Sequence, residues 1–205
     1  MTLPSYRPNF VYFDLGNVLC FFDHGRSARQ MAELLGVDQA SVRRLVYESD
    51  LEHRYEKGLI TGEEFVDELV TALGRRVATD DLLRAASDMF EPNLEILPVL
   101  QLIRDKGIPM GLLSNTNAAH WEWICAQRYP VLQEWFEPRI LSFEVCLMKP
   151  ESEIYRLSTE RARAEPAGIF FIDDRHDNIE GAKSFGWQTS LFTHAASLRR
   201  IVESW

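Results

Sequence analysis

The chain has 205 residues, 46% hydrophobic and 26% charged, with a formal net charge of −9. That length supports one well-buried core with at most a modest insertion, and the charge argues against nucleic acid or anionic membrane as a partner, since both are bound largely through Lys and Arg. No stretch approaches the roughly 18 to 20 apolar residues of a spanning helix, Met1-Thr2-Leu3-Pro4-Ser5-Tyr6-Arg7-Pro8 lacks the apolar core of a signal peptide, and Cys20, Cys125 and Cys146 form no CxxC pair, so we expect a cytoplasmic protein with three buried, unpaired cysteines.

The first predicted element is a strand over residues 10–13, Phe-Val-Tyr-Phe, closed by Asp14. Residues 23–92 follow without a convincing strand. Leu, Val, Tyr and Phe recur there at three- and four-residue intervals and predict helices over residues 27–35, 41–55, 63–73 and 80–90. Gly58 reads as a C-cap, and Thr61-Gly62-Glu63-Glu64 has the spacing of a capping box. After a return hinge at Glu91-Pro92-Asn93, strands at residues 108–114, 140–145, 169–173 and 188–192 alternate with helices at residues 96–106, 118–128, 151–164 and 178–185. This alternation predicts an α/β fold with a doubly wound, mainly parallel sheet. The core then comprises residues 1–22 and 93–205, with a helical insertion at 23–92.

Ligands of such sheets bind beyond the C-terminal strand ends, where Asp14, Ser114 and Asp173 are all expected. Asp14 suits a nucleophile that attacks phosphorus and becomes an acyl phosphate, or a residue that merely caps the turn. Gly16 lets the backbone approach a ligand and leaves its carbonyl for a metal, and Asn17 shapes the loop. Ser114 and the amides after it suit an anion, although Asn117 alone would cap the next helix. Lys149 before Pro150, read as the first residue of a helix, is a point charge able to neutralise a phosphate and a carboxylate. Asp173-Asp174 offers the hard oxygen ligands that magnesium takes, or else forms an acidic turn with Asp177 or Asn178 capping the following helix.

Together, Asp14-Leu15-Gly16-Asn17-Val18, Leu113-Ser114-Asn115-Thr116-Asn117, Lys149-Pro150 and the segment from Phe171 to Ala182 resemble, in order, the four motifs of the haloacid dehalogenase-like hydrolase superfamily. Its members are mostly magnesium-dependent phosphatases. The stretch from Tyr55 to Phe65 is similar to the helical cap that one subclass inserts after its first strand. More narrowly, the chain resembles the bacterial branch that includes α-D-glucose-1-phosphate phosphatase, which also carries Gly two residues after the nucleophile. The resemblance implies a Rossmann-like core, an aspartyl-phosphate on Asp14, and a phosphate held by Ser114, Asn115 and Lys149. It also implies Mg2+ on Asp14, the Gly16 carbonyl and Asp174, with Asp173 a ligand directly or through water. The implied partner is a small phosphorylated metabolite, a sugar phosphate being one candidate.

Gly16 departs from most of these phosphatases, which place an aspartate there as general acid and base, worth typically 10²- to 10⁴-fold. A better leaving group, such as an anomeric hydroxyl, would lessen the need, or Asp23, His24 or His176 would supply the proton. In the insertion, His53, Arg54 and Tyr55 either face substrate or are ordinary surface and packing residues. His120, Trp121 and Trp123 either line the pocket or pack at helical spacing. Two other functions remain at this point. One is a 2-haloacid dehalogenase, whose relatives carry Tyr at the place of Gly16 and need no metal. The other is a non-catalytic phosphate-binding module.

Overall fold

The computed structural model describes residues 7–132 and 134–205. Most of the segment read as lacking a signal peptide, Met1 to Tyr6, lies outside the described residues.

Four apolar residues at Phe10–Phe13 form strand β1, which pairs in parallel with two later strands, β4 (Met110–Ser114) and β6 (Ile169–Asp173). β5 (Phe136–Leu141) and β7 (Gln188–Leu191) complete a five-stranded parallel sheet in the order β5-β4-β1-β6-β7. Side chains alternate along each strand. Val11, Phe13, Leu112 and Ile172 therefore enter one buried cluster, while Phe10, Tyr12, Leu113 and Phe171 enter another on the opposite face. Both faces are covered, which is why the strands read as unbroken apolar runs. The register Phe13↔Ile172 and Phe13↔Leu112 ends the three central strands together. Asp14, Asp173 and Ser114 thus emerge side by side.

Helices α6 (Leu97–Asp105), α7 (Ala118–Ala126), α9 (Ser152–Ala162), α10 (His176–Ser184) and α11 (Ala195–Glu203) flank the sheet, with the short α8 (Ser142–Val145) after β5. The residues between β1 and β4 hold helices α1 (His24–Leu35), α2 (Gln39–Val46), α3 (Leu51–Glu56), α4 (Gly62–Leu73) and α5 (Thr79–Ser87). These five pack round a cluster of their own that includes Met31, Leu35, Val42, Leu69 and Leu82. Their two ends meet in a short antiparallel pair, β2 (Cys20–Phe22) with β3 (Phe90–Pro92).

Several expectations are corrected. The predicted helix over residues 41–55 is two helices, because Ser49 Oγ accepts from Leu51 N at 3.1 Å and starts α3 afresh. The strand expected at 140–145 begins earlier and ends at Leu141. From Ser142 the chain turns helical, since Ser142 Oγ is drawn into bonds with Thr116 and Glu56. Pro92, expected in a hinge, sits in β3 opposite Cys20; both three-residue strands carry too few patterned residues to announce themselves, whereas α11, with Ala195, Leu198 and Val202 buried at helical spacing, is an additional helix that the pattern did carry. Pro150 precedes α9 rather than opening it, and neither Asp177 nor Asn178 is the N-cap of α10, which is Arg175. Gly58 follows the C-cap Lys57 in a left-handed conformation. Of the three cysteines only Cys20 is buried; Cys125 and Cys146 are exposed. The capping box at Thr61 and Glu64 and the Asn117 cap of α7 are present as read.

Candidate active site

Where β1, β4 and β6 end, Lys149 Nζ stands between two carboxylates, 2.7 Å from Asp14 Oδ1 and 2.7 Å from Asp173 Oδ2. Its side chain is fully buried, so an unpaired ammonium there would be very costly. Burial works against its charge, but Asp14 and Asp173 outweigh it and hold Lys149 above the ordinary lysine range. Burial first, and Asp173 second, push the Asp14 carboxyl up to about 7 against the pull of Lys149. The lysine is aimed by its backbone. Asn115 Nδ2 donates to Lys149 O and Lys149 N donates to Asn115 Oδ1, both at 2.9 Å.

Asp173 is wholly buried and fully engaged. It accepts from Lys149 Nζ, from Arg175 N at 2.8 Å and from Asn178 Nδ2 at 3.1 and 3.0 Å. Asp174 is half-buried, faces the cleft and accepts from Asn17 Nδ2 at 2.9 Å. Oxygens of Asp14, Asp173 and Asp174 lie within 4.8 Å of one another. The turn after β1 closes through Asn17 N to Cys20 O at 2.7 Å and through Leu19 N and Cys20 N to Leu15 O, which leaves the Gly16 carbonyl outside the network. Asn178 Oδ1 is buried without a partner among the described residues, while both carboxylate oxygens of Asp173 hold its amide nitrogen. Hard oxygens in this number, with spare acceptors for bound water, fit magnesium. Asp14 and Asp174 line the cleft, and the wholly buried Asp173 stands behind them.

These groups open into one cleft of about 280 Å³, lined also by Ser114 and Asn115. Ser114 lies at the end of β4, and its hydroxyl makes only a long 3.3 Å bond to Asn115 O, leaving it available to a ligand. Asp14, Gly16, Ser114, Asn115, Lys149 and Asp174 thus meet at one cleft with Asp173 behind them, Asn115 spending its side chain on Lys149.

The expected sources of a proton fare differently. Asp23 is exposed and caps α1, accepting from Gly25 N at 2.7 Å. His176 is exposed and is not among the lining residues. His24 does line the cleft, stacked on Tyr47 with ring centroids 4.3 Å apart, and burial and Arg43 push its pKa down. His120 lines it too, against Phe90; burial pushes it down to about 3. Trp121 and Trp123 pack against the core instead. In α3, Arg54 pairs with Glu68 and Tyr55 is buried against Phe65, while the neighbours Glu52 and Glu56 line the cleft. Sequence reading missed both, and Arg175 with them. Their i, i+4 spacing was visible, but not which face of α3 turns inward.

A parallel sheet with an acidic cluster and a buried lysine at its strand ends is an arrangement that haloacid dehalogenase-like hydrolases share. Residues 9–186 match that family, and the chain belongs to it. It is 26% identical over 196 residues, 93% of this chain and 94% of the relative, to D-ribitol-5-phosphate phosphatase of Bacteroides thetaiotaomicron. Phosphorylated carbohydrates phosphatase of Thermotoga maritima is 27% identical over 103 residues, which are 50% of this chain and 47% of that one. A crystal structure of a HAD family enzyme from Bacteroides thetaiotaomicron, in complex with magnesium and inorganic phosphate, superposes with a TM-score of 0.81 at 30% identity, covering 91% of this chain and 94% of the other.

Proposed function

We propose that this protein is a magnesium-dependent phosphomonoesterase that hydrolyses a small phosphorylated metabolite through an aspartyl-phosphate on Asp14. The observation that carries this reading is Lys149 Nζ, 2.7 Å from both Asp14 and Asp173 beside Ser114 and Asp174. A buried lysine so placed neutralises the nucleophile in the resting site and the phosphate in the loaded one. The named activities of the two similar phosphatases support a phosphorylated polyol or sugar as substrate.

In this reading Asp14 attacks phosphorus, and Ser114 and Asn115 hold phosphate oxygens through a hydroxyl and backbone amides. Lys149 balances charge, and Asp173 and Asn178 hold Lys149 and the acidic turn in place. Magnesium on Asp14, Asp174 and the Gly16 carbonyl would supply positive charge to the phosphate oxygens. Residues 23–92 serve as the cap that encloses the substrate, on a core formed by residues 1–22 and 93–205. A cytoplasmic location belongs to the same proposal. Its support is three unpaired cysteines, two of them exposed, which suits a reducing compartment.

Phosphate release over a panel of sugar and polyol phosphates, with magnesium and with EDTA, tests the reading. We expect release that EDTA abolishes and that Asp14→Asn lowers by at least about 10³-fold. Halide release from 2-haloacids that EDTA leaves intact would establish the dehalogenase reading instead. Metal-dependent phosphate binding with no turnover would establish a binding module.

A further inference from the structure

The cleft lacks an acid at position 16, and an alkoxide leaving group still requires a proton. A Cβ at Gly16 would meet Phe22 Cε1 at 2.9 Å, so the space an acid would use is filled by a ring. Among the described residues lining the cleft, the two histidines are held neutral by burial. Asp174 is bound to Asn17 and placed for metal. Two carboxyls remain, Glu52 and Glu56, on one face of α3.

The structure fixes this short helix to the core around Glu56. Ala119 N donates to Tyr55 Oη at 3.2 Å, Ser142 Oγ donates to Glu56 O at 2.6 Å, and Lys57 pairs with Glu151. A Cβ on Gly58 would run into the Phe143 carbonyl, so the backbone passes the core at closest approach there. Four consecutive residues of the helical insertion are thus docked beside the strand ends, in addition to the packing of α5 on α7. Only the second of them has a side chain facing the cleft. Such rigid support is what a group acting on a reacting atom requires.

Resting on the phosphatase reading, we infer that Glu56 is the general acid and base of this enzyme, in place of the carboxylate absent at Gly16. As Asp14 Oδ bonds to phosphorus and the bond to the leaving oxygen breaks, protonated Glu56 gives that oxygen its proton and frees the alcohol. Water then attacks the aspartyl-phosphate and passes a proton to the Glu56 carboxylate. The bond from phosphorus to Asp14 breaks, leaving inorganic phosphate and protonated Glu56. Burial pushes the Glu56 carboxyl up to about 7, opposed by Lys149 and Arg175, and burial together with Glu56 raises Glu52. Two facing carboxyls one helical turn apart thus retain a proton near neutral pH.

Rapid-mixing kinetics of Glu56→Gln with phenyl phosphate and p-nitrophenyl phosphate, magnesium present, tests this assignment. Nitrophenolate leaves without a proton, whereas phenolate needs one far more. With p-nitrophenyl phosphate we expect a burst of one product per site at a rate within tenfold of wild type, followed by slow turnover because the base is gone. With phenyl phosphate the first turnover itself falls about 10²- to 10³-fold. Equal losses on both substrates, or an unchanged turnover rate, would overturn the inference. If Glu56→Gln does not fold, Glu56→Asp is put to the same comparison and must show the same inequality. Because wild type and Asp14→Asn are measured alongside, a wild type inert toward phosphate esters marks failure of the phosphatase reading. An active wild type with an indifferent Glu56 marks failure of this inference alone.

Discussion

At Gly16 the absent side chain and a neighbouring ring are one feature. Phe22, whose Cε1 would stand 2.9 Å from a Cβ there, packs against His24 and Phe90 with centroids 4.9 and 6.1 Å away. Restoring the family's usual acid is therefore not a simple addition. Gly16→Asp is expected to lower stability by about 1 to 3 kcal/mol, the range for overpacking, and to leave turnover no higher than wild type. Urea unfolding and steady-state rates check both, and a gain in turnover would show that the ring yields freely. Asp23→Asn is expected to change turnover little, because asparagine caps a helix as well as aspartate does. The sequence displayed every group at the strand ends, since each follows an apolar run. It did not display Phe22 as the occupant of the vacant space, because β2 is three residues long and its contacts come from β3, distant in sequence.

At the scale of elements, one hydroxyl links α3 and α8, among several contacts that hold the helical insertion against the core. Ser142 Oγ accepts from Thr116 N at 2.9 Å and donates to Glu56 O at 2.6 Å. Ser142→Ala leaves a buried amide without its partner, at a cost of about 1 to 3 kcal/mol, and frees the segment that carries Glu56. We expect a lower melting temperature and a turnover loss larger than any loss of phosphate affinity, measured by calorimetry of magnesium and phosphate binding. Both elements were misread in sequence for one reason. Residues 41–55 have helical periodicity throughout and residues 140–145 have strand composition, so pattern alone continues each element. Side-chain oxygens at Ser49 and Ser142 end them, and Ser142 has bonding partners 26 and 86 residues away.

Across the whole molecule, the parallel sheet and the order of its motifs were legible because buried strands read as continuous apolar runs that stop at polar residues. The face that the insertion turns to the core was not legible, since docking depends on contacts between distant segments. That docking buries three carboxyls and two imidazoles at one cleft, with opposite consequences for stability against pH. Asp14 and Glu56 are raised to about 7, and Glu52 is raised as well. Each stabilises the fold below its unfolded pKa, and that stability is lost as pH rises through the folded value. His24 is lowered, and His120 lowered to about 3. Their neutral forms suit the fold above about 6.5, and that stability is lost as pH falls. Each group moves stability by about 1.4 kcal/mol per pH unit within its window. The shifted surface carboxylates Asp38, Glu68, Glu153 and Asp177 are lowered and titrate below this range. Three groups against two makes the metal-free protein more stable at pH 5.5 than at pH 7.5. On the proposed reading magnesium would bind the ionised Asp14 and stabilise by mass action, so its effect should be larger at pH 7.5 and shrink as protons compete at pH 5.5. Thermal unfolding with EDTA and with magnesium at both pH values measures this directly. Metal-free protein that weakens on acidification would mean that the carboxyls of the cleft ionise freely and that the insertion does not bury them.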